Sequence, residues 1–255
     1  MKIPSILKRR SFVVGLVLVG AVAVSAGLAD WVAPFDPVKN NFRYRLGEPN
    51  DAHLLGTDRF GRDVLSRILF GARVSLRIGL LVVVASGLIG GLVGLVAGWW
   101  PKADGWLMRV MDGLMAFPGI LLAIALAVTL GPSETTAVVA LTVAFAPRIT
   151  RAVLVARAQD YVEAARATGV PSMGVMVKHV APQCVAPALV LFSASLGSAI
   201  FAEAALSFLG LGIPQPMPSW GNMLGGILAN QFRPEWWLVI FPGLAITLAI
   251  LAFNL

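Results

Sequence analysis

Cysteine occurs once in this chain, at Cys184, and histidine twice, at His53 and His179. A single cysteine excludes an internal disulfide and a thiolate metal cluster. Two histidines so far apart in sequence read as solvated loop residues rather than as a metal pair. Charged residues make up only 13% of the chain, against about 25% in a soluble domain. A phosphate-binding loop is also missing. That motif needs Gly-Lys followed by Ser or Thr, and none of the five lysines (2, 8, 39, 102 and 178) follows a glycine. Energy for any work done by this chain must come from another subunit or from an ion gradient. No cluster of His, Asp, Glu or Cys marks the chain as a membrane-embedded enzyme.

What the sequence has in abundance is apolar length. Hydrophobic residues are 58% of the 255, and the mean hydropathy is +0.82. Several runs reach the ~20 residues that a bilayer span requires. Backbone polar groups in lipid must be bonded internally, so such runs read as helices. Six spans are predicted: Phe12 to Trp31, Val74 to Trp100, Met111 to Leu130, Thr135 to Val155, Gln183 to Leu209 and Trp236 to Leu255. The first follows a basic start at Lys8 to Arg10. Its apolar stretch is too long for a signal peptide and no Ala-x-Ala site follows it, so it reads as an uncleaved span.

The net charge of +7 lies mostly between and beside the apolar runs, where it orients and anchors spans rather than binding nucleic acid. Lys2, Lys8, Arg9 and Arg10 place the N-terminus in the cytoplasm, and six spans return the C-terminus there. Lys102, Arg109 and the segment from Arg148 to Lys178 also fall inside. The loop from Pro34 to Arg73 breaks the pattern: it falls outside yet carries seven Lys and Arg. Trp31, Trp99, Trp100, Trp106, Trp236 and Trp237 sit near span ends, where amphipathic rings settle.

Four further features stand out, two of them with two readings. Gly87, Gly90, Gly91, Gly94 and Gly98 give small-xxx-small faces, suited to close packing within this chain or against a second membrane subunit. Arg59 to Arg77 alternates charged and apolar residues, as an interfacial amphipathic helix would. Arg148 and Arg151 are expected to snorkel to headgroups. Glu203 is a lone acid inside an apolar run, which makes it a functional candidate by default; it either faces a translocation path near an outer gate or makes a structural pair.

One long stretch, Asp160 to Pro182, is polar and helix-forming yet lies between two apolar spans. Tyr161 to Thr168 contains three alanines, the best helix formers. Gly169 ends that helix, and Pro171 suits the first turn of a second, running to about His179 before Pro182 leads into the fifth span. The product is a helix–turn–helix elbow with a small-residue surface and no nucleophile–base pair. Such a surface suits docking, not catalysis.

Glu163-Ala164-Ala165, three residues, Gly169 and then Pro182 resemble the EAA signature of permease subunits of bacterial ABC importers. His179 matches the peptide-importer branch, and Ala181 stands where the signature usually has Leu. LGTDRFGRDVLSRILFGARVSL, Leu55 to Leu76, and EAALSFLGLGIPQPMPSWGNML, Glu203 to Leu224, resemble the C-type permeases of dipeptide, oligopeptide and nickel importers. APFDP, Ala33 to Pro37, and MDGLMAFPGILLAI, Met111 to Ile124, agree. The chain ends inside an apolar run at Leu255, where members of that branch continue into a short polar tail.

The resemblance implies an all-α membrane protein of type I ABC importer architecture in the bacterial inner membrane. An N-terminal anchor, outer loop and interfacial segment would span residues 1–73, and a permease core 74–255, with a coupling elbow at 157–182. Expected partners are a second homologous permease, two cytoplasmic ATPases and an external substrate-binding protein. No cofactor is expected in this chain, since ATP and magnesium would sit on the partner ATPases. Glu163, Ala164, Ala165, Gly169, Pro171, Ser172, His179 and Pro182 would carry ATPase coupling. Glu163 would pair with a basic residue of the ATPase rather than with Arg166. The loop from Gly210 to Pro234, with Trp220, would dock the binding protein. Peptide is the expected cargo and nickel chelate or another small solute the alternative. A self-contained, gradient-driven transporter is the competing class; it would carry several ionisable groups at mid-membrane.

Overall fold

A computed structural model describes residues 10–157, 162, 174, 181–228 and 235–255. It is almost wholly helical. The elements are α1 (Arg10–Gly27), α2 (Ala29–Val32), α3 (Val64–Trp99), α4 (Pro101–Met115), α5 (Gly119–Leu130), α6 (Glu134–Arg157), α7 (Ala181–Phe208), α8 (Trp220–Leu228) and α9 (Trp236–Asn254). Among the described residues five helices are each long and apolar enough to cross a membrane: α1, α3, α6, α7 and α9. The bent pair α4–α5, counted as one broken span, makes six. Apolar length alone therefore located all six crossings.

Two of the crossings differ in shape from their sequence reading. The third is not one straight helix from Met111 to Leu130; its halves meet at 91° around residues 116–118. Pro118 explains the break. It lacks an N–H and pushes Phe117 out of helical geometry, and α5 restarts immediately after it. The second crossing is longer than expected. Asp63 caps its start by accepting the Ser66 N–H at 2.8 Å, and the helix then runs unbroken for 36 residues. The segment Arg59 to Arg77 is therefore no separate interfacial helix. Its helical part is the outer end of α3, and Val64, Ser66 and Arg67 are fully buried beneath the loop that precedes them.

That loop also accounts for its own basic charge. Arg62 Nε donates to Asp58 at 2.7 Å, and Arg67 Nε lies 3.6 Å from the same carboxylate. Arg67 Nη1 donates to the Pro37 carbonyl at 2.7 Å, and Arg62 Nη1 to Gln215 Oε1 at 2.9 Å. Arg73 clasps Asp30 at 2.9 Å and holds its carboxyl below the usual carboxylate range. Arg62, Arg67 and Arg73 thus serve as internal ties between distant loops, so they carry little weight in a rule based on free loop charge. Gly61 turns the loop at φ +71°; a Cβ there would collide with the carbonyl of Asn41.

The core is built of small side chains. Ala123, Ala127, Ala137, Ala140, Ala199 and Ala249 have no exposed area, which lets helices approach closely without a hydrophobic force between them. α3 and α6 run parallel: Arg77 pairs with Glu134 at 2.6 Å, and Gly90 abuts Ala146. α7 runs antiparallel to α3, with Gly79 against Ile200 and Ser75 beside Glu203.

The glycine stripe of α3 splits between its two readings. A Cβ on Gly90 would stand 2.4 Å from the Ala146 carbonyl oxygen, and one on Gly94 2.9 Å from Val153 Cβ, so these two pack within the chain. Gly87 and Gly91 meet nothing within 4 Å. Gly90→Leu should therefore force α3 off α6 at about 1–3 kcal/mol or more, seen as a lower melting temperature of the detergent-purified chain. Gly87→Leu should leave that temperature unchanged. Equal effects would sink the assignment of the two faces.

Candidate functional site

The elbow falls largely outside the described residues. Glu163, Ala164, Ala165, Gly169, Pro171, Ser172 and His179 all lie outside them, and Pro182 is placed only as a backbone position in the first turn of α7. Their surroundings are described nonetheless. The end of α6 and the start of α7, which flank it in sequence, lie at the end of the bundle opposite the 33–63 loop. Val162 is helical and buried.

Glu203 sits at the opposite end, inside the packing. It has no exposed area. Ser75 Oγ donates to its Oε2 at 2.8 Å, and Ser207 Oγ to its Oε1 at 2.7 Å. The Ile213 N–H then donates to Ser207 Oγ at 3.0 Å. The carboxyl thus joins α3, α7 and the turn after α7 into one hydrogen-bonded unit. It lines neither of the hollows described below. Sequence inspection named the acid but not Ser75, its partner 128 positions away.

Next to this unit the loop after α7 is firmly seated. Trp220 is buried, with its indole N–H donating to the Ile68 carbonyl at 3.0 Å. Asn222 ties Ile213 and Met217 together through its side-chain amide. Trp220 therefore offers no free surface to a partner. Trp237 is likewise buried and bonds the Thr57 carbonyl, so it is not a headgroup anchor. Trp31, Trp100, Trp106 and Trp236 do stand exposed near span ends, as the belt reading expects.

The break between α4 and α5 opens two adjoining hollows. One, of about 500 Å3, lies between α5, α6, α7 and α9 and includes Ser198, Phe201 and Asn254. The other, of about 360 Å3, lies along residues 114–118. Gly119, Ala144 and Arg148 line both. Arg148 is the one charged side chain in either. Its guanidinium sits 5.3 Å from the centroid of the Phe145 ring, one turn back toward the start of α6. Snorkelling would send it the other way, toward the nearer end of the span at Val155. Arg148 thus lines the two hollows, a position that the snorkelling expectation did not include. Arg151, three residues on, reaches Asp112 at 3.5 Å, with both side chains exposed.

The arrangement has binding features and no catalytic ones. Among the described residues no three His, Cys, Asp or Glu side chains are grouped to hold a metal. The hollows are open and share a single cation, and the larger is mostly apolar.

Residues 88–255 match the family described as binding-protein-dependent transport system inner membrane component. The chain belongs to this family. A peptide transport system permease protein of Brucella suis, itself named as putative, is 46% identical over 255 residues, covering 98% of this chain and 86% of that protein. The dipeptide transport system permease protein DppC of Escherichia coli (strain K12) is 46% identical over 261 residues, 97% of this chain and 86% of its own. The di/tripeptide transport system permease protein DppC of Pseudomonas aeruginosa is 42% identical over 252 residues, 94% and 83% respectively. Membership of an inner-membrane transport family, together with six apolar crossings, makes this a multi-pass inner-membrane permease subunit. The resemblance first noted on short motifs thus extends over nearly the whole chain.

Proposed function

We propose that this chain forms half of the pore of an ATP-driven importer of dipeptides or short oligopeptides. The observation that carries the reading is the near full-length similarity to permeases named for peptide, dipeptide and di/tripeptide transport. In this reading a second, related permease completes the pore, two cytoplasmic ATPases supply ATP and magnesium, and an external binding protein delivers the cargo. N- and C-termini face the cytoplasm, as the basic N-terminus favours. The elbow between α6 and α7 is the ATPase-docking element. Glu163 pairs with a basic ATPase residue, Ala164 and Ala165 allow close approach, and Gly169 and Pro171 form the bend. Ser172, His179 and Pro182 complete it. ATP binding then moves the elbow, and through α6 and α7 it moves the walls of the hollows beside Arg148.

A gradient-driven transporter would use ionisable groups in contact with water at mid-membrane. Glu203, bonded by two serines and without exposed area, is poorly placed for that.

The test is affinity purification of the tagged chain from native membranes in mild detergent, with partners identified by mass spectrometry. A second permease and P-loop ATPases are expected in stoichiometric yield. Recovery of the chain as a lone homo-oligomer would overturn the reading.

A further inference from the structure

We propose that Arg148 is a carboxylate-binding station on the transport path, taking the C-terminal carboxylate of a transported peptide as it passes α5. This rests on the peptide-importer reading above and adds a residue and a ligand group to it.

The argument begins with depth. Arg148 lies fourteen residues after Glu134 and seven before Val155, in a helix that qualifies as a span from Glu134 to Val155. At 1.5 Å per residue that is about 21 Å from one end and about 10 Å from the other. A cation so placed is costly in lipid and normally faces a bundle interior or a water-filled cavity. Arg148 faces a cavity, since it lines both hollows at the α4–α5 break.

Direction comes next. The guanidinium leans over Phe145, toward the start of α6 and away from Val155. Phe145 is itself buried, so the ring is a fixed platform for one face of the cation. The five N–H donors around its rim point outward in a rigid fork that matches a carboxylate. Arg148 has no carboxylate partner among the described residues, whereas Arg62, Arg73, Arg77 and Arg151 each have one. Among the described residues the single cation in the hollows therefore rests against a ring and meets no carboxylate.

Size and chemistry then name the ligand. The hollows, of about 500 and 360 Å3, fall in the range of small-molecule sites, about 300–1,000 Å3. Their walls are mostly alanine, glycine and phenylalanine, with the Ser198 hydroxyl and the Asn254 amide at the edge. Such walls tolerate varied side chains, while one arginine reads the carboxylate that every unmodified peptide shares. A lipid phosphate would satisfy the same cation, and the experiment separates the two.

The first arm uses the complete wild-type transporter in detergent, without binding protein. Arg148 is modified with phenylglyoxal and the adduct mapped by mass spectrometry. Millimolar alanyl-alanine should slow modification of Arg148, and alanyl-alanine amide should not; equal protection by both, or by neither, overturns the proposal. The second arm compares wild type, R148Q and R148K in proteoliposomes of phosphatidylcholine alone and with added phosphatidylglycerol. Peptide carried per ATP hydrolysed should fall about tenfold or more in R148Q, the scale of a lost charge-assisted pair, and recover only in part in R148K, which keeps the charge but loses the fork. ATP hydrolysis stimulated by the binding protein should persist in both variants, in both lipid mixtures. An R148Q transporter with wild-type coupling, or one whose defect follows the lipid mixture, points to a structural or lipid role and overturns the proposal. Failure of wild type itself to import peptide with ATP would refute the importer reading instead.

Discussion

A chain carrying Gly169→Pro is expected to insert in the membrane and keep its partner permease while losing its ATPases. Peptide uptake by the assembled system should then fall at least a hundredfold. In the proposed elbow Gly169 would close the first helix, where a glycine readily takes up the left-handed turn that follows a last helical turn. Proline fixes φ near −65° and removes the N–H that bonds back to the helix. The two short helices would then meet at a different angle, and Glu163 and Ser172 would no longer present one surface. The six crossings do not depend on that angle, because their small-residue contacts lie within the bundle. The check is quantitative co-purification beside wild type. An unchanged ATPase yield would show that the ATPases dock elsewhere.

Glu203→Leu should be the most damaging single change in the described bundle. Leucine fits the span and would be harmless if Glu203 stood in water or lipid. Here it strands the hydroxyls of Ser75 and Ser207, both buried and both donating to the lost carboxyl. Each orphaned buried group costs about 1–3 kcal/mol, so about 2–6 kcal/mol is expected for the two, with a clear drop in the melting temperature and yield of the purified complex. Glu203→Gln keeps one carbonyl acceptor and offers an amide to a serine that can rotate to accept, so most of the stability should remain. Ser75→Ala, which removes one donor and leaves Glu203 bonded to Ser207, should fall between them. A Leu variant as stable as wild type, with transport alone impaired, would move Glu203 from the packing to the path.

These two residues mark the limits of what sequence discloses. All six crossings were legible because lipid demands about 20 apolar residues whatever the neighbours do. The start of α3 was legible in principle. Asp63 followed three residues later by Ser66 is a capping pattern, yet the alternating charges after it suggested a surface helix. Burial under a preceding loop is a long-range matter that periodicity does not report. The break at Pro118 had a local signal, but the apolar run on both sides concealed a 91° bend. Glu203 was conspicuous and Ser75 was not, since a serine in a span has no signature of its own. Arg148 and Arg151 look equivalent in sequence. Only the packing shows that Arg151 reaches Asp112 while Arg148 turns back over Phe145. The elbow shows the reverse case: its motif was the clearest local signal in the chain, and it lies mostly outside the described residues.

The glycine faces follow the same logic. Five small residues in α3 announce close packing without naming the partner. Gly90 and Gly94 are used by α6, which leaves Gly87 and Gly91 for whatever covers that side of α3. In the proposed assembly the second permease is a suitable occupant.

The measurement that bears most directly on the proposed function is uptake of radiolabelled alanyl-alanine into proteoliposomes holding the complete purified transporter. Binding protein would be outside and ATP sealed inside with its ATPase sites. Uptake that needs both ATP and the binding protein, and that persists when proton and sodium gradients are collapsed, is the expected result. Uptake that ignores ATP and follows an imposed ion gradient would contradict it, and would make this chain a transporter in its own right.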